Sequence, residues 1–189
     1  MSKSLKNGEV FCLESQWDVS SDLPRQSVLP LMNVLNASYT EAQVSYLSCN
    51  TREEFLYNLG LSKGRYGILY ISAHGRAGEI ELHSGNLTLD EIAKAMGKKF
   101  RRCGVHFASC STLNIEEAVA KKFIKDTSVS FISGYSKDIF WIPSAGVDLT
   151  YLDFMMEGYE NPEKAYKKML SYISPSDETI GFRFISNKP

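Results

Sequence analysis

Short apolar runs recur along the chain at 9–13, 43–47, 66–72, 104–108 and 129–133, each of strand length and rich in β-branched and aromatic residues. Runs this continuous predict strands buried on both faces. Helix starts lie between them. Thr51 stands three residues before Glu54 and Thr88 three before Glu91, both with the spacing of a capping box, and Asn114 stands three before Glu117. Further on, the pattern predicts one helix opening at Pro143 and ending near Gly158, then another with Asn161 as cap and Pro162 as its first residue. The run 179–185 around Gly181 reads as an edge strand. The alternating stretch 79–87, with Ser84-Gly85-Asn86 inside it, reads as a small hairpin inserted after the third strand.

Strand and helix therefore alternate, which predicts an α/β fold with a mainly parallel sheet, helices on both faces and right-handed crossovers. No repeat, low-complexity tract or linker-like run interrupts it, so one continuous domain is expected over 1–189. With 189 residues, 43% of them hydrophobic, the chain can bury a core without disulfide or metal, and disorder is excluded. Its 21 Lys and Arg against 22 Asp and Glu leave a charge of −1, without the basic excess that nucleic-acid binding usually shows. No window approaches about 18 uninterrupted apolar residues, and the first residues lack a secretory apolar core. The expectation is a soluble cytoplasmic chain that engages neither nucleic acid nor membrane. Cys12, Cys49, Cys103 and Cys110 include no C-x-x-C pair and no Cys/His cluster of zinc spacing, so in a reducing compartment the question is which of them is reactive.

In open parallel sheets, ligands bind beyond the carboxyl ends of the strands. The third strand runs into Ala73-His74-Gly75 and the fourth into Ser109-Cys110-Ser111. If those strands are neighbours, their ends lie about 5 Å apart, and a thiol and an imidazole there can serve one substrate carbonyl. His74 would act as base and later as acid to the leaving amine. A helix opening near Asn114 would place positive potential close to Cys110 and favour its thiolate. Gly75 lets the backbone approach closely, and its amide, with that of Cys110, is the natural oxyanion hole.

At these residues the sequence resembles the caspase-like cysteine peptidases, the group of legumain, clostripain, separase and the CHAT domains. The likeness rests on the apolar strand that ends in His74-Gly75 and on Val105-His106-Phe107-Ala108-Ser109-Cys110-Ser111. Ile132-Ser133-Gly134-Tyr135-Ser136, followed by Trp141, Ala145 and a helix, looks like the substrate-binding strand and loop of the CHAT branch. One departure is the order Ala108-Ser109 where many of these enzymes have Ala directly before the cysteine. The resemblance implies a three-layer α/β/α caspase-like fold with about six central strands. It also implies a cysteine endopeptidase with His74 as acid/base, Cys110 as nucleophile and Gly75 as oxyanion donor, needing no cofactor or metal. Its substrate would be a protein or peptide. Relatives often act in bacterial defence or cell death and are held inactive until an activating protein partner or ligand orders their loops.

In such enzymes the primary pocket draws on the ends of the first strand and of the strand after the cysteine, which here offer Glu14, Asp18 and Asp138, acids that would suit an Arg or Lys side chain. Asp138 is the first choice among them, with Ser136 beside it and Trp141 and Tyr135 walling the cleft. His106 reads as a hydrogen-bonded core histidine. Two rivals stand beside the peptidase: a non-catalytic caspase-like protein-interaction module using the same cleft, and a small-molecule binder in which the loop His74-Gly75-Arg76-Ala77-Gly78 cradles an anion.

Overall fold

The computed structural model describes residues 4–16, 26–39, 44–62, 64–173 and 180–186. The five apolar runs form β1 (Val10–Glu14), β2 (Val44–Ser48), β3 (Ile68–Ser72), β7 (Gly104–Ala108) and β8 (Phe131–Tyr135). With β9 (Phe182–Ser186) they make a six-stranded sheet in the order β2-β1-β3-β7-β8-β9. All neighbours are parallel except β9, which pairs antiparallel with β8. The predicted edge strand is thus present, although Thr179, its expected first residue, lies outside the described residues, as does Gln43 before β2. The expected hairpin is β5 (Glu79–Leu82) with β6 (Gly85–Thr88), extended by β4 (His74–Arg76) into a three-stranded antiparallel sheet. The His74–Arg76 segment is therefore strand rather than an open glycine loop, because it pairs in register with Glu79–Glu81.

Helices α1 (Leu29–Ser38), α5 (Trp141–Glu157) and α6 (Pro162–Met169) cover one face of the large sheet, and α2 (Arg52–Ser62), α3 (Leu89–Met96) and α4 (Glu117–Thr127) the other. Strand alternation decides which residues each layer receives. Phe11, Leu13, Leu69, Ile71, Val105 and Phe107 pack with α2, α3 and α4, whereas Val10, Cys12, Ile68, Tyr70, Ala108 and Tyr135 pack with α1, α5 and α6. The result is a three-layer α/β/α architecture. Among the described residues no helix is long and apolar enough to cross a membrane.

Local chemistry accounts for the helix starts. Both capping boxes form: Glu54 N–H donates to Thr51 Oγ1 at 3.2 Å, and Glu91 N–H to Thr88 Oγ1 at 3.2 Å, each glutamate accepting in return from the threonine amide. Asn161 caps α6 as expected. Two starts differ. Asn114 caps nothing, since α4 begins at Glu117 with Glu116 in the cap position. The helix α5 opens at Trp141, with Pro143 inside its first turn. The start of α1 has Pro30 in its first turn and Ser27 Oγ accepting from Leu29 N–H at 3.2 Å, and it is braced from afar: Val28 N–H donates to Glu14 Oε1 at 2.7 Å, and Ser27 to Glu14 Oε2 at 2.7 Å.

Candidate active site

The strands β3 and β7 are neighbours, and Ser72 pairs with Ala108 at their carboxyl ends. His74 and Cys110 each stand two residues beyond that pair. The strand ends stay together past the ladder: a Cβ on Gly75 would lie 2.3 Å from Thr112 Oγ1, 2.8 Å from the Cys110 carbonyl oxygen and 2.9 Å from Ser109 Cβ. Only glycine lets the His74 strand sit against the cysteine turn at that range. His74 is exposed and Cys110 half-buried, with its Sγ 3.9 Å from the carbonyl oxygen of Ile139.

The turn after Cys110 is tightly fastened. Ser111 has φ +54°, left-handed for a residue with a side chain, a conformation that persists only where the surroundings hold it. On one side Ser111 N–H donates to Lys137 O and Leu113 N–H to Tyr135 O, while Ser111 Oγ donates to Asp138 Oδ1 at 2.8 Å. On the other, Gly78 N–H donates to Thr112 O, and Thr112 Oγ1 donates to Glu79 O at 3.0 Å. Ser109 shares a 2.7 Å hydrogen bond with Thr112 in a dry site. From β9, Arg183 Nη1 donates to Leu113 O and Ile115 O at 2.6 and 2.7 Å. The helix dipole is not part of this turn: α4 starts seven residues after Cys110, and acidic Glu116 and Glu117 stand at its N-terminus.

At the ends of β3 and β7, lined by Ser72, Ala108 and the Ile139 whose carbonyl oxygen faces the thiol, opens a cavity of about 160 Å³. Val28, Ala108, Ile139, Trp141 and Ala145 give it apolar walls, and Tyr70, Ser72, Ser144 and Asp148 its polar surface. Phe140 and Ile142, 84% and 78% exposed, flank Trp141. Asp148, on α5, is 3% exposed and joins a buried network. It accepts from Tyr70 Oη at 2.7 Å on Oδ2, and from Tyr135 Oη on Oδ1, where His106 Nε2 also lies at 3.0 Å. Burial and the Asp148 charge push the Tyr70 and Tyr135 hydroxyls well above the usual tyrosine range, so both are proton donors.

Residues 7–184 match the model of a family of unknown function, DUF6642. The chain belongs to that family. No curated protein matches it. The described part of this DUF6642 chain brings together His74, Gly75 and Cys110 at one sheet end, with Trp141 lining the cavity beside them. The expected acids are placed differently. Glu14 is buried and its oxygens take hydrogen bonds from Ser27, Val28 and Tyr46, so it braces the cavity wall at Val28 instead of facing a substrate. Asp138 is exposed and holds Ser111. Asp18 lies outside the described residues. Tyr135 is fully buried under the cavity and does not wall the cleft; Ser136 binds Gly181 O through both its amide and its hydroxyl.

Asp148, Tyr70 and Ser72 complete the site and were not legible beforehand, since nothing in an apolar helix such as α5 marks one aspartate as a cavity residue. The signal that did exist was polarity in buried strands: register aligns Tyr70, His106 and Ser133 in one row across β3, β7 and β8, and such a row needs a polar partner from the helix above. Ser133, His106 and Asp148 also line up as a serine hydrolase triad would, with Ser133 Oγ 3.0 Å from His106 Nδ1. Ser133 is wholly buried and bonded to Tyr151 Oη at 2.7 Å, so no substrate reaches it, and His106 is structural.

Proposed function

We propose that the chain is a cysteine peptidase in which Cys110 is the nucleophile and His74 the general acid/base. One observation carries the reading: each residue stands two positions beyond the Ser72–Ala108 pair that ends the adjacent parallel strands β3 and β7, with Gly75 pressed against the Cys110 backbone. His74 takes the thiol proton as the thiolate adds to the scissile carbonyl carbon, and the oxyanion is met by the amides of Gly75 and Cys110. The C–N bond then breaks as His74 returns the proton to the leaving amine. Water, deprotonated by His74, hydrolyses the thioester and restores the thiol. Every atom in this cycle comes from the dyad, the peptide and water.

A protein or peptide substrate fits an opening flanked by exposed Phe140 and Ile142. Four unpaired cysteines fit a reducing cytoplasm. Resemblance to the CHAT branch extends the reading to a regulated enzyme of bacterial defence or cell death that awaits an activating partner. The experiment is cleavage of a protein and of a fluorogenic peptide library by the full chain, beside Cys110→Ala and His74→Ala. Both variants should lose cleavage by about 10²-fold or more with little change in melting temperature. Cleavage persisting in Cys110→Ala would overturn the assignment.

A further inference from the structure

We infer that the cavity beside Cys110 receives a long unbranched cationic side chain, lysine or arginine, and that Asp148 selects it; this rests on the peptidase reading of the adjoining dyad. The lining has two parts. Val28, Ala108, Ile139 and Trp141 offer apolar walls to a methylene stem, and Asp148 offers a carboxylate to a charged head. Amphipathic side chains bury their stems and keep their heads on polar partners in just this division.

Charge accounting points the same way. Asp148 is 3% exposed; among the described residues its partners are Tyr70, Tyr135 and His106, and no Lys or Arg of the described residues lines the cavity. A carboxylate has about four acceptor positions, and these three partners among the described residues leave one, on Oδ2. His106, 3.0 Å from Ser133 Oγ through Nδ1 and 3.0 Å from Asp148 Oδ1 through Nε2, serves Oδ1 and leaves Oδ2 to Tyr70 and the cavity. A cationic ligand head that reaches this position adds a charge-assisted hydrogen bond to a carboxylate already held at 3% exposure. Glu14, also buried, lies behind Val28 and adds negative potential on the same wall. An acidic side chain would set like charges together. Ile139, which lines the cavity, also places its carbonyl oxygen 3.9 Å from Cys110 Sγ, so a side chain seated there belongs to the residue whose carbonyl meets the thiol.

The test measures the rate at which short peptidyl chloromethyl ketones, ending in Lys, Arg, norleucine or Glu, modify Cys110 of the full chain, read by mass spectrometry. Lysine and norleucine share the stem and differ in the ammonium. Lys and Arg reagents should react roughly tenfold or more faster than norleucine, with Glu slowest. That ratio should fall to about one in Asp148→Asn, and in Ala145→Leu, which fills the cavity without touching the buried network. A wild-type rate for norleucine equal to or above that for Lys and Arg overturns the inference and leaves the dyad standing. If neither these reagents nor iodoacetamide modify Cys110, the peptidase reading fails. The cavity is then judged by calorimetric binding of N-acetyl-lysine amide and N-acetyl-arginine amide against N-acetyl-norleucine amide: binding confined to the cations sustains it, and equal or no binding overturns it.

Discussion

Gly75 lies so close to Cys110 that a Cβ would stand 2.8 Å from the Cys110 carbonyl oxygen. Real Cβ atoms do not sit that near a backbone oxygen, and the Thr112 hydroxyl at 2.3 Å closes the other way out. Gly75→Ala must therefore push the cysteine turn away from the histidine strand. The expected cost is about 1–3 kcal/mol in stability, as for other overpacked sites, with a larger proportional loss in Cys110 reactivity. Thermal unfolding and the Cys110 labelling rate measure the two effects. A variant that labels like the wild type would mean that the two strand ends are not held together in solution.

Thiol chemistry separates the four cysteines. Cys12, Cys49 and Cys103 are buried, and burial pushes Cys49 and Cys103 up to about 12 and Cys12 well above its ordinary value. A thiol at about 12 is ionised to roughly one part in 10⁵ at neutral pH. Cys110 alone of the four is partly exposed. Pulsed iodoacetamide on the native chain, followed by peptide mapping, should place nearly all early label on Cys110, and His74→Ala should slow it. Label spread evenly over the four sites would remove the basis for a special thiol.

Much of the architecture was legible because buried parallel strands are continuous apolar runs, and all five such runs became strands within one or two residues of their predicted bounds. The site was legible as far as it depends on strand order: His74 and Cys110 follow two runs that prove to be neighbours. What long-range contacts decide was hidden. Ser27 and Pro30 mark the start of α1 locally, but the brace from Glu14 across the fold is not visible in sequence, and the same bonds withdraw Glu14 from the cleft. Asn114 had the spacing of a cap, yet its own amide is spent on Ser111 O within the cysteine turn. Asp148 reads as one of three acids on α5 until the sheet beneath shows Tyr70 and His106 in register.

The Asp148 network should be a large local contributor to stability. Tyr135→Phe deletes one donor to a buried carboxylate and should cost about 1–3 kcal/mol, and Tyr70→Phe a similar amount. Because both hydroxyls serve one carboxylate, the double variant should depart from the sum of the singles. Urea unfolding of the four proteins in the cycle supplies the numbers. Strict additivity would mean that Asp148 is not shared in the way the distances require.

Acid should loosen the junction of α2 and α3 through Glu91. Its carboxylate takes Arg52 Nη2 at 2.7 Å on one oxygen and the Thr88 amide and hydroxyl, each at 2.9 Å, on the other. The Arg52 hydrogen bond first, and the Thr88 bonds after it, hold Glu91 down to about 2. A carboxylate depressed in the folded state contributes stabilisation that is fully present above the ordinary carboxylate range, about 4.3, and is lost as pH falls through the folded value. Glu91→Gln should therefore be less stable than the wild type at pH 7, with the gap narrowing from about pH 4 and closing near pH 2. The pair is partly exposed, so salt should shrink the gap at pH 7 as well. Urea midpoints of both proteins across that pH range test the sign. A gap unchanged between pH 7 and pH 2 would show that the difference does not come from the ionised carboxylate.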